Sequence, residues 1–154
     1  MRAGGSLRVF TANVHETTGP GSEASSLRGG YDEVDPGNGD PYTDIWLRSA
    51  PIDLGAATAG TLSFQQWTEI EDVPGDFDYG SIRILDASDN SVLATMENQS
   101  IDGNTDGWEE YSKDLPAEAF DAAEGTIRIE WQFEADDLFS FAGWYIDDVV
   151  ITTP

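Results

Sequence analysis

The sequence predicts an all-β fold, a two-sheet antiparallel β-sandwich. Residues 125–135 alternate between apolar and polar side chains, which is typical of a strand with one buried face. Further strand-like runs recur at spacings of about 8–15 residues and are separated by Gly, Asp, Asn and Pro. The stretch 117–123 is the one segment with the composition of a short helical turn, so we expect helices to contribute little.

The alternation also predicts which side chains of each strand face the core. In 60–70, Leu62 and Phe64 point inward, whereas Trp67 is out of phase with them. Either a bulge intervenes there or Trp67 packs on the opposite face. In 125–135, the inward residues are Ile127, Ile129, Trp131 and Phe133, and the solvent-facing residues are Arg128, Glu130, Gln132 and Glu134. Other strands are predicted at 79–85, with Ile82 and Ile84 inward, and at 92–97, 108–114 and 143–151. The turn-forming cluster 35–41 is interpreted as a loop.

Charge and composition restrict the possible partners. The chain has 154 residues, with 30 acidic against seven basic side chains and a formal net charge of −23. Nucleic acid is excluded, because its binding depends on Lys and Arg that neutralise phosphates, and anionic membrane surfaces are disfavoured. We expect no membrane insertion, since no apolar run approaches the roughly 20 residues of a span. The acids indicate either solubility in a salty medium or a surface suited to divalent cations.

The chain is expected to form a single domain spanning 1–154, and we interpret it as an excised module of a larger protein. Because it contains no Cys, neither a disulfide nor a thiolate metal site is possible.

No catalytic residue is predicted. His15 is the only imidazole, so zinc hydrolysis of the zincin type and Ser-His-Asp chemistry both lack a residue that they require. A pair of carboxylates could cleave glycosidic bonds, but with 30 acids some pair meets the required separation by chance. Glycoside hydrolysis is therefore kept only as the second alternative.

Asp147 and Asp148 stand in the middle of the last predicted strand. Neighbouring residues of a strand point to opposite faces, so Asp147 shares a face with Tyr145 and Val149, and Asp148 shares the other with Ile146. Both faces are otherwise apolar, and an uncompensated buried carboxylate is costly. We therefore expect either a bound cation or backbone N–H donors beside at least one of these acids.

A second candidate metal site lies at Asp102, Asn104 and Asp106. With Gly103 and Gly107 they match the opening half of a calcium loop, in which alternate oxygen ligands curl around the ion. Lys113 occupies the position of the closing Glu, so this is not an EF-hand, and a plain hairpin turn is the alternative. Nearby acids at 69–72 and 76–78 bracket Pro74-Gly75 and form either a solvated loop tip or half of a cation site.

The aromatic residues divide into core and loop groups. Periodicity assigns four to the core: Phe64, Trp131, Phe133 and Tyr145. Four others, expected in or beside loops, are the candidates for stacking on sugar rings: Trp108, Tyr42, Trp46 and Tyr31. Trp108 is preferred, because it follows the turn at Gly107 and has polar neighbours. Phe139 and Phe141 are interpreted as a lid on one end of the sandwich.

Four motifs in order carry a family resemblance over roughly residues 20–152: LRSAPIDL at 47–54, LSFQQW at 62–67, DYG at 78–80 and GWYIDDV at 143–149. This order is similar to the MAM-like jelly-roll module of immune inhibitor A type metalloproteases and other secreted bacterial proteins. The resemblance implies a jelly roll of the MAM-like, or galactose-binding-like, type. It also implies a structural calcium beside the terminal strand, with Asp147 or Asp148 as a ligand.

We therefore predict an extracellular, noncatalytic recognition module, stabilised by calcium and adjoining a catalytic or anchoring domain. Its expected partner is a polysaccharide or cell-surface glycan. The first alternative is an accessory domain that acts only as a spacer, and the second is the carboxylate hydrolase. A shallow aromatic platform favours the binder and a cleft with perturbed acids favours the enzyme.

Overall fold

The computed structural model describes residues 5–10, 28–34, 42–70, 72, 78–135 and 143–154, with the backbone alone up to residue 45. These residues form ten strands: β1 Gly5–Phe10, β2 Arg28–Val34, β3 Tyr42–Arg48, β4 Ile52–Asp53, β5 Thr61–Glu69, β6 Tyr79–Asp86, β7 Val92–Ile101, β8 Glu109–Asp114, β9 Thr126–Ala135 and β10 Gly143–Thr153. Two short 3₁₀ segments, Ala117–Asp121 and Ala123–Gly125, replace the predicted helical turn.

The strands form two antiparallel sheets that pack face to face. Sheet A has the order β1-β10-β5-β8, and sheet B has the order β2-β3-β9-β6-β7, with β4 added beside β9. All recorded strand pairs are antiparallel. The predicted all-β sandwich is therefore confirmed. The part of the chain that the structure describes holds no helix with the length and hydropathy of a transmembrane segment.

The core lies between the inner faces of the two sheets, as the alternation predicts. Leu62 and Phe64 of β5 face Ile129 and Trp131 of β9, and all four side chains are buried. The Phe64 and Trp131 rings meet edge to face, with centroids 5.7 Å apart. Aromatic pairs of this geometry stabilise a core beyond the area that they bury.

Trp144 connects the sheets through a close contact with Gly80. Its ring is buried in sheet A, and a Cβ added at Gly80 of sheet B would lie 2.7 Å from a carbon of that ring. The Trp144 Nε1 donates a hydrogen bond to Gln66 Oε1 at 3.1 Å, which satisfies the buried indole. The glycine of the DYG motif is therefore required by packing.

Glu97 ties the free edges of the two sheets together. From β7 it accepts hydrogen bonds from Tyr111 Oη, at 3.0 Å, and from the Lys113 ammonium of β8. Ser100 Oγ donates a third at 2.7 Å. Burial alone would raise the pKa of Glu97, but the bonds from Lys113, Ser100 and Tyr111 outweigh it and lower that pKa. Burial raises the pKa of the Tyr111 hydroxyl, and the neighbouring Glu97 raises it further.

Glu130 corrects one feature of the predicted pattern. It lies on the outer face of β9, where the alternation predicts contact with solvent, yet its side chain is only 1% exposed. Arg48 of β3 and Arg83 of β6, its cross-strand neighbours, each donate to one of its carboxylate oxygens. A carboxylate paired on both sides tolerates burial that an isolated one would not.

The contact between Gly80 and Trp144 gives a first prediction. Gly80→Ala should lower the free energy of unfolding by about 1–3 kcal/mol, because the new methyl overlaps the Trp144 ring. Denaturant unfolding measures the loss. In a Trp144→Leu background the same substitution should cost much less. A Gly80→Ala protein as stable as the parent would contradict this packing.

The Glu97 cluster gives a prediction about pH. Glu97→Gln should lower the free energy of unfolding by about 1–3 kcal/mol at pH 7, because hydrogen bonds to a charged acceptor are lost. Because the folded pKa lies below the ordinary value of 4.5, this stabilisation is present above pH 4.5 and is lost as pH falls through the folded pKa. Unfolding curves of parent and variant should thus converge in acid. Glu118→Gln, at an exposed position, is the control. If the difference in unfolding free energy between the parent and Glu97→Gln persisted at low pH, the role of the Glu97 charge would be contradicted.

Candidate functional site

Three aromatic residues form a row across the outer face of sheet A. Tyr145 of β10 pairs in register with Trp67 of β5. On the other side of β5, the register that pairs Gln66 with Glu109 brings Trp108, one residue before β8, opposite Trp67. We call Tyr145, Trp67 and Trp108 the aromatic row.

The alternation of β5 turns Trp67 outward. Gln66 and Thr68, its neighbours in the chain, are buried, whereas Trp67 is 37% exposed. The register of β5 with β10 is continuous on both sides of Trp67, and the burial of β5 alternates without interruption. Of the two alternatives, the opposite face is therefore correct and no bulge intervenes.

A bulge in β10 places Tyr145 on the same outer face. The β10 register shifts between Asp147 and Val150, and Asp148 has a φ of 49°. Upstream of the bulge, the inner residues are Trp144 and Ile146. Downstream they are Val149 and Ile151. The assignment of Tyr145 to the core is thus wrong, because the extra residue changes which face the alternation points to.

Trp67 and Trp108 form the more exposed end of the row. Their ring centroids are 6.3 Å apart and their planes meet at 77°. Trp108 is 47% exposed, in agreement with its preference as a platform. These two partly exposed rings, with their planes nearly perpendicular on the outer face of sheet A, bound a corner that we call the indole corner.

The loop that carries Trp108 is anchored to the end of β5. The Ile70 N–H donates to the Gly103 carbonyl at 3.0 Å, and the Thr105 N–H donates to the Thr68 carbonyl at 3.1 Å. The Thr105 hydroxyl accepts from the Thr68 N–H at 3.0 Å and donates to the Gly107 carbonyl at 2.7 Å. Gly107 has a φ of 143°, a conformation that favours glycine. These bonds fix the position of Trp108.

A polar row lies beside the aromatic row. Asp147, Gln65 and Glu110 pair across β10, β5 and β8, two residues along the strands from the aromatic row. Within these three strands the single basic residue is Lys113, and its ammonium binds Glu97. The aromatic row is therefore bordered by carboxylates and an amide, without a cation from the same strands.

The two acids of the terminal strand do not require a cation to offset burial. Asp148 is exposed and Asp147 only half-buried, so the expectation that both lie on covered faces is wrong. Asp147 Oδ1 accepts a hydrogen bond from the Asp148 N–H at 2.7 Å, which matches the alternative of a carboxylate bonded to backbone amides. Three or more potential metal-binding side chains do not meet anywhere among the described residues. At this strand, the hydrogen bond from the Asp148 N–H satisfies Asp147 without a bound ion.

The loop from Asp102 to Gly107 forms a turn stabilised by its own side chains. Asn104 Oδ1 accepts a hydrogen bond from the Asp106 N–H at 2.7 Å. The backbone of Asn104 forms an isolated antiparallel β-bridge with Glu69 of β5. An Asp72 carboxylate oxygen lies 3.5 Å from the position that a Cβ at Gly103 would occupy. The structure thus brings Glu69 and Asp72 of the 69–72 segment to this loop, while Glu71 and 73–77 lie outside the described residues.

The remaining aromatic candidates are not near Trp108. Trp46, Tyr42 and Tyr31 were expected in or beside loops, but Trp46 and Tyr42 lie in β3 and Tyr31 lies in β2. Trp46 is on the outer face of sheet B, where the Arg48 guanidinium lies 4.1 Å from the centroid of its ring. The side chains of Tyr31 and Tyr42 are outside the described part, as are His15, Phe139 and Phe141. The sequence did not identify Trp67 and Tyr145 as site residues. The one signal for this face was that Trp67 is out of phase with the inward residues of its strand.

The shifted acids of the described part are held in the ionised form. Hydrogen bonds from Ser88 and Ala123 lower the pKa of Asp86, and hydrogen bonds from Ser91 lower the pKa of Asp89. Glu97 shifts in the same direction. A general acid for glycoside hydrolysis needs a raised pKa, so these three groups do not supply one.

The chain is similar in sequence to segments of two bacterial proteases. No family model matches the sequence. The chain is 30% identical over 137 residues to Bacillopeptidase F of Bacillus subtilis (strain 168), a match that covers 88% of this chain and 9% of that protein. It is 28% identical over 108 residues to Pre-pro-metalloprotease PrtV of Vibrio cholerae serotype O1 (strain M66-2), covering 66% of this chain and 11% of that protein.

The chain is similar to a segment of larger proteases. It spans only 9–11% of the length of these relatives. Two solved structures are also similar in part, with TM-scores of 0.42 and 0.48 and identities of 15% and 9%. The first is the enzymatically active domain of bacteriophage CBA120 tailspike protein 4, and the match covers 99% of this chain and 19% of the tailspike chain. The second is infectious bursal disease virus Gt strain, and the match covers 99% of this chain and 32% of the viral chain. Similarities of this strength carry no argument about function.

Proposed function

We propose that this chain is a noncatalytic recognition module of a larger extracellular bacterial protein, and that the outer face of sheet A binds neutral carbohydrate. The observation that carries the proposal is the aromatic row beside the polar row. The similarity of the chain to segments of bacterial proteases supports an accessory module with neighbouring domains. The MAM-like jelly roll is retained as the proposed type of sandwich.

The two rows match the chemistry of a sugar ring. One face of a pyranose is apolar and stacks on an indole, while its hydroxyl groups donate hydrogen bonds at the edge. The exposed rings of Trp67 and Trp108 supply stacking surface. Asp147, Gln65 and Glu110 supply acceptors two residues away, roughly 7 Å along the strands. Sulfated and uronate polymers should be repelled by the net charge of −23.

The aromatic row gives a binding prediction. Trp108→Ala and Trp67→Ala should each weaken binding to a neutral polysaccharide by about 1–3 kcal/mol, by analogy with base stacking on aromatic side chains. The loss of stability should be small, because neither ring belongs to the buried core between the sheets. Affinity electrophoresis in gels with neutral or anionic polysaccharides measures the retardation.

Two matched substitutions control this experiment. Val92→Ala shortens another exposed apolar side chain, in sheet B, and should leave the retardation unchanged. Trp46→Ala removes an indole from the opposite side of the sandwich. If Trp46→Ala alone abolished retardation, the site would be on sheet B. If the folded parent were not retarded by any polysaccharide, the spacer alternative would replace the proposal.

We also propose that calcium stabilises the folded module near the Asp102–Gly107 loop. The excess of acids over bases and the closeness of Asp72 to Gly103 support this location over the terminal strand. Asp72 and Asp102 would contribute carboxylate oxygens, which are the ligands that calcium prefers. The ion's role here would be structural.

Thermal unfolding tests the calcium proposal. If calcium binds only the folded state, free ion at 100 times its dissociation constant should add about 2.7 kcal/mol of stability. Asp72→Asn and Asp102→Asn should reduce this gain, whereas Asp147→Asn and Asp148→Asn should preserve it. Superimposable melts with calcium and with chelator, at fixed ionic strength, would remove calcium from the account. Loss of the gain only in the Asp147 and Asp148 variants would move the ion to the terminal strand.

A further inference from the structure

We propose that the indole corner binds the ammonium group of an amino sugar, so that the preferred ligand is a polymer containing unacetylated glucosamine. The inference rests on the proposed carbohydrate recognition and specifies the substituent that the site selects. It is carried by two independent features, the angle between the indoles and the sign of the charges around them.

The angle distinguishes the corner from a flat platform. At 77° the two indoles cannot both stack on one planar ribbon of sugar rings. Instead, the edge of one ring approaches the face of the other, and the two planes bound a corner. The face of an indole carries the negative part of its quadrupole and attracts a cation within about 6 Å of the ring centroid. A small organic cation in the corner would touch both faces, while its sugar ring rests on one of them.

The charges around the corner have the complementary sign. On one side of the aromatic row, Asp147 and Glu110 flank Gln65. On the other side of the row, Glu69 lies two residues after Trp67 in β5. Asp106 immediately precedes Gly107 and Trp108, and it is exposed. The Lys113 ammonium, from the same three strands, is bound to Glu97. A cation in the corner would therefore meet carboxylates without a competing ammonium from these strands.

A basic peptide is the competing occupant, because lysine also carries an ammonium group. The sugar is favoured by the form of the site. The amine of glucosamine is attached directly to the ring, so one ligand can stack an apolar ring face and present its ammonium within a few ångströms. A lysine ammonium stands at the end of a flexible four-carbon stem and offers no rigid ring face to the second indole.

Two oligosaccharides that differ only at the amine provide the test. Glucosamine hexamer and N-acetylglucosamine hexamer are titrated into the protein, with binding measured by calorimetry. We expect the amine oligomer to bind about tenfold more tightly at low salt, equivalent to 1.4 kcal/mol. The advantage should shrink towards 1 M salt, where the Debye length falls to about 3 Å.

Variants separate this inference from the proposed function. Glu110→Gln combined with Asp147→Asn should lower the affinity ratio between the two oligomers by severalfold. Glu118→Gln, which removes the same charge from a distant exposed position, should leave the ratio unchanged. Trp67→Ala should weaken both oligomers.

Four results would overturn the inference. Equal affinity for the two hexamers would do so while leaving neutral carbohydrate recognition intact. Binding of neither hexamer would also overturn the inference, and gel retardation by other neutral polysaccharides then decides the proposed function separately. A ratio that survives the double substitution would show that these acids do not create the preference. Hexalysine that binds as tightly as the amine oligomer, with the same salt dependence, would indicate general attraction of polycations.

Discussion

The register of β5 between β10 and β8 is the constraint on which the rest of the structure depends. Gln66 spans all three strands from the inner face. Its Oε1 accepts from Trp144 of β10 and its Nε2 donates to Glu109 of β8 at 2.9 Å. Phe64 stacks on Tyr111 of β8 with ring centroids 4.6 Å apart. A slip of one residue would exchange the two faces of β5 and bury Trp67 in place of Gln66. The packing of the core therefore also sets the aromatic row.

The scarcity of cations shapes the surface as strongly as the register shapes the core. The chain has seven basic residues, and those whose side chains are described all bind within the fold. Arg48 and Arg83 bind Glu130, Lys113 binds Glu97, and Arg128 donates to the Ser49 carbonyl at 2.9 Å. The positive charge is thus used to hold strands together. None of these four basic side chains pairs with the acids around the aromatic row.

Local periodicity predicted the parts of the fold that a single strand determines. The alternation of β5 and β9 identified four inward residues: Leu62, Phe64, Ile129 and Trp131. Because Trp67 is out of phase with Leu62 and Phe64, its position on the opposite face of β5 was one of the two predicted alternatives. The bulge in β10 could not be predicted, because it is a difference in register between strands that meet only in the fold. Burial of Glu130 was missed for a similar reason, since Arg48 lies 82 residues away in sequence.

The candidate site was predicted in part. Trp108 was chosen from its place after a glycine turn, and its exposure agrees with that choice. Its companions, Trp67 and Tyr145, come from other strands and were identified only once the register was known. The burial argument for a cation beside Asp147 and Asp148 rested on a regular strand with two covered faces, and the bulge removes that premise.

The most direct test of the central claim follows the five tryptophan indole N–H signals by NMR while a neutral oligosaccharide is added. The signals of Trp67 and Trp108 should shift in proportion to binding, because ring stacking changes their magnetic environment. Those of the buried Trp131 and Trp144, and of Trp46 on the opposite sheet, should stay in place. Saturable shifts confined to Trp46, or none at ligand concentrations that retard the protein in gels, would contradict recognition by this face.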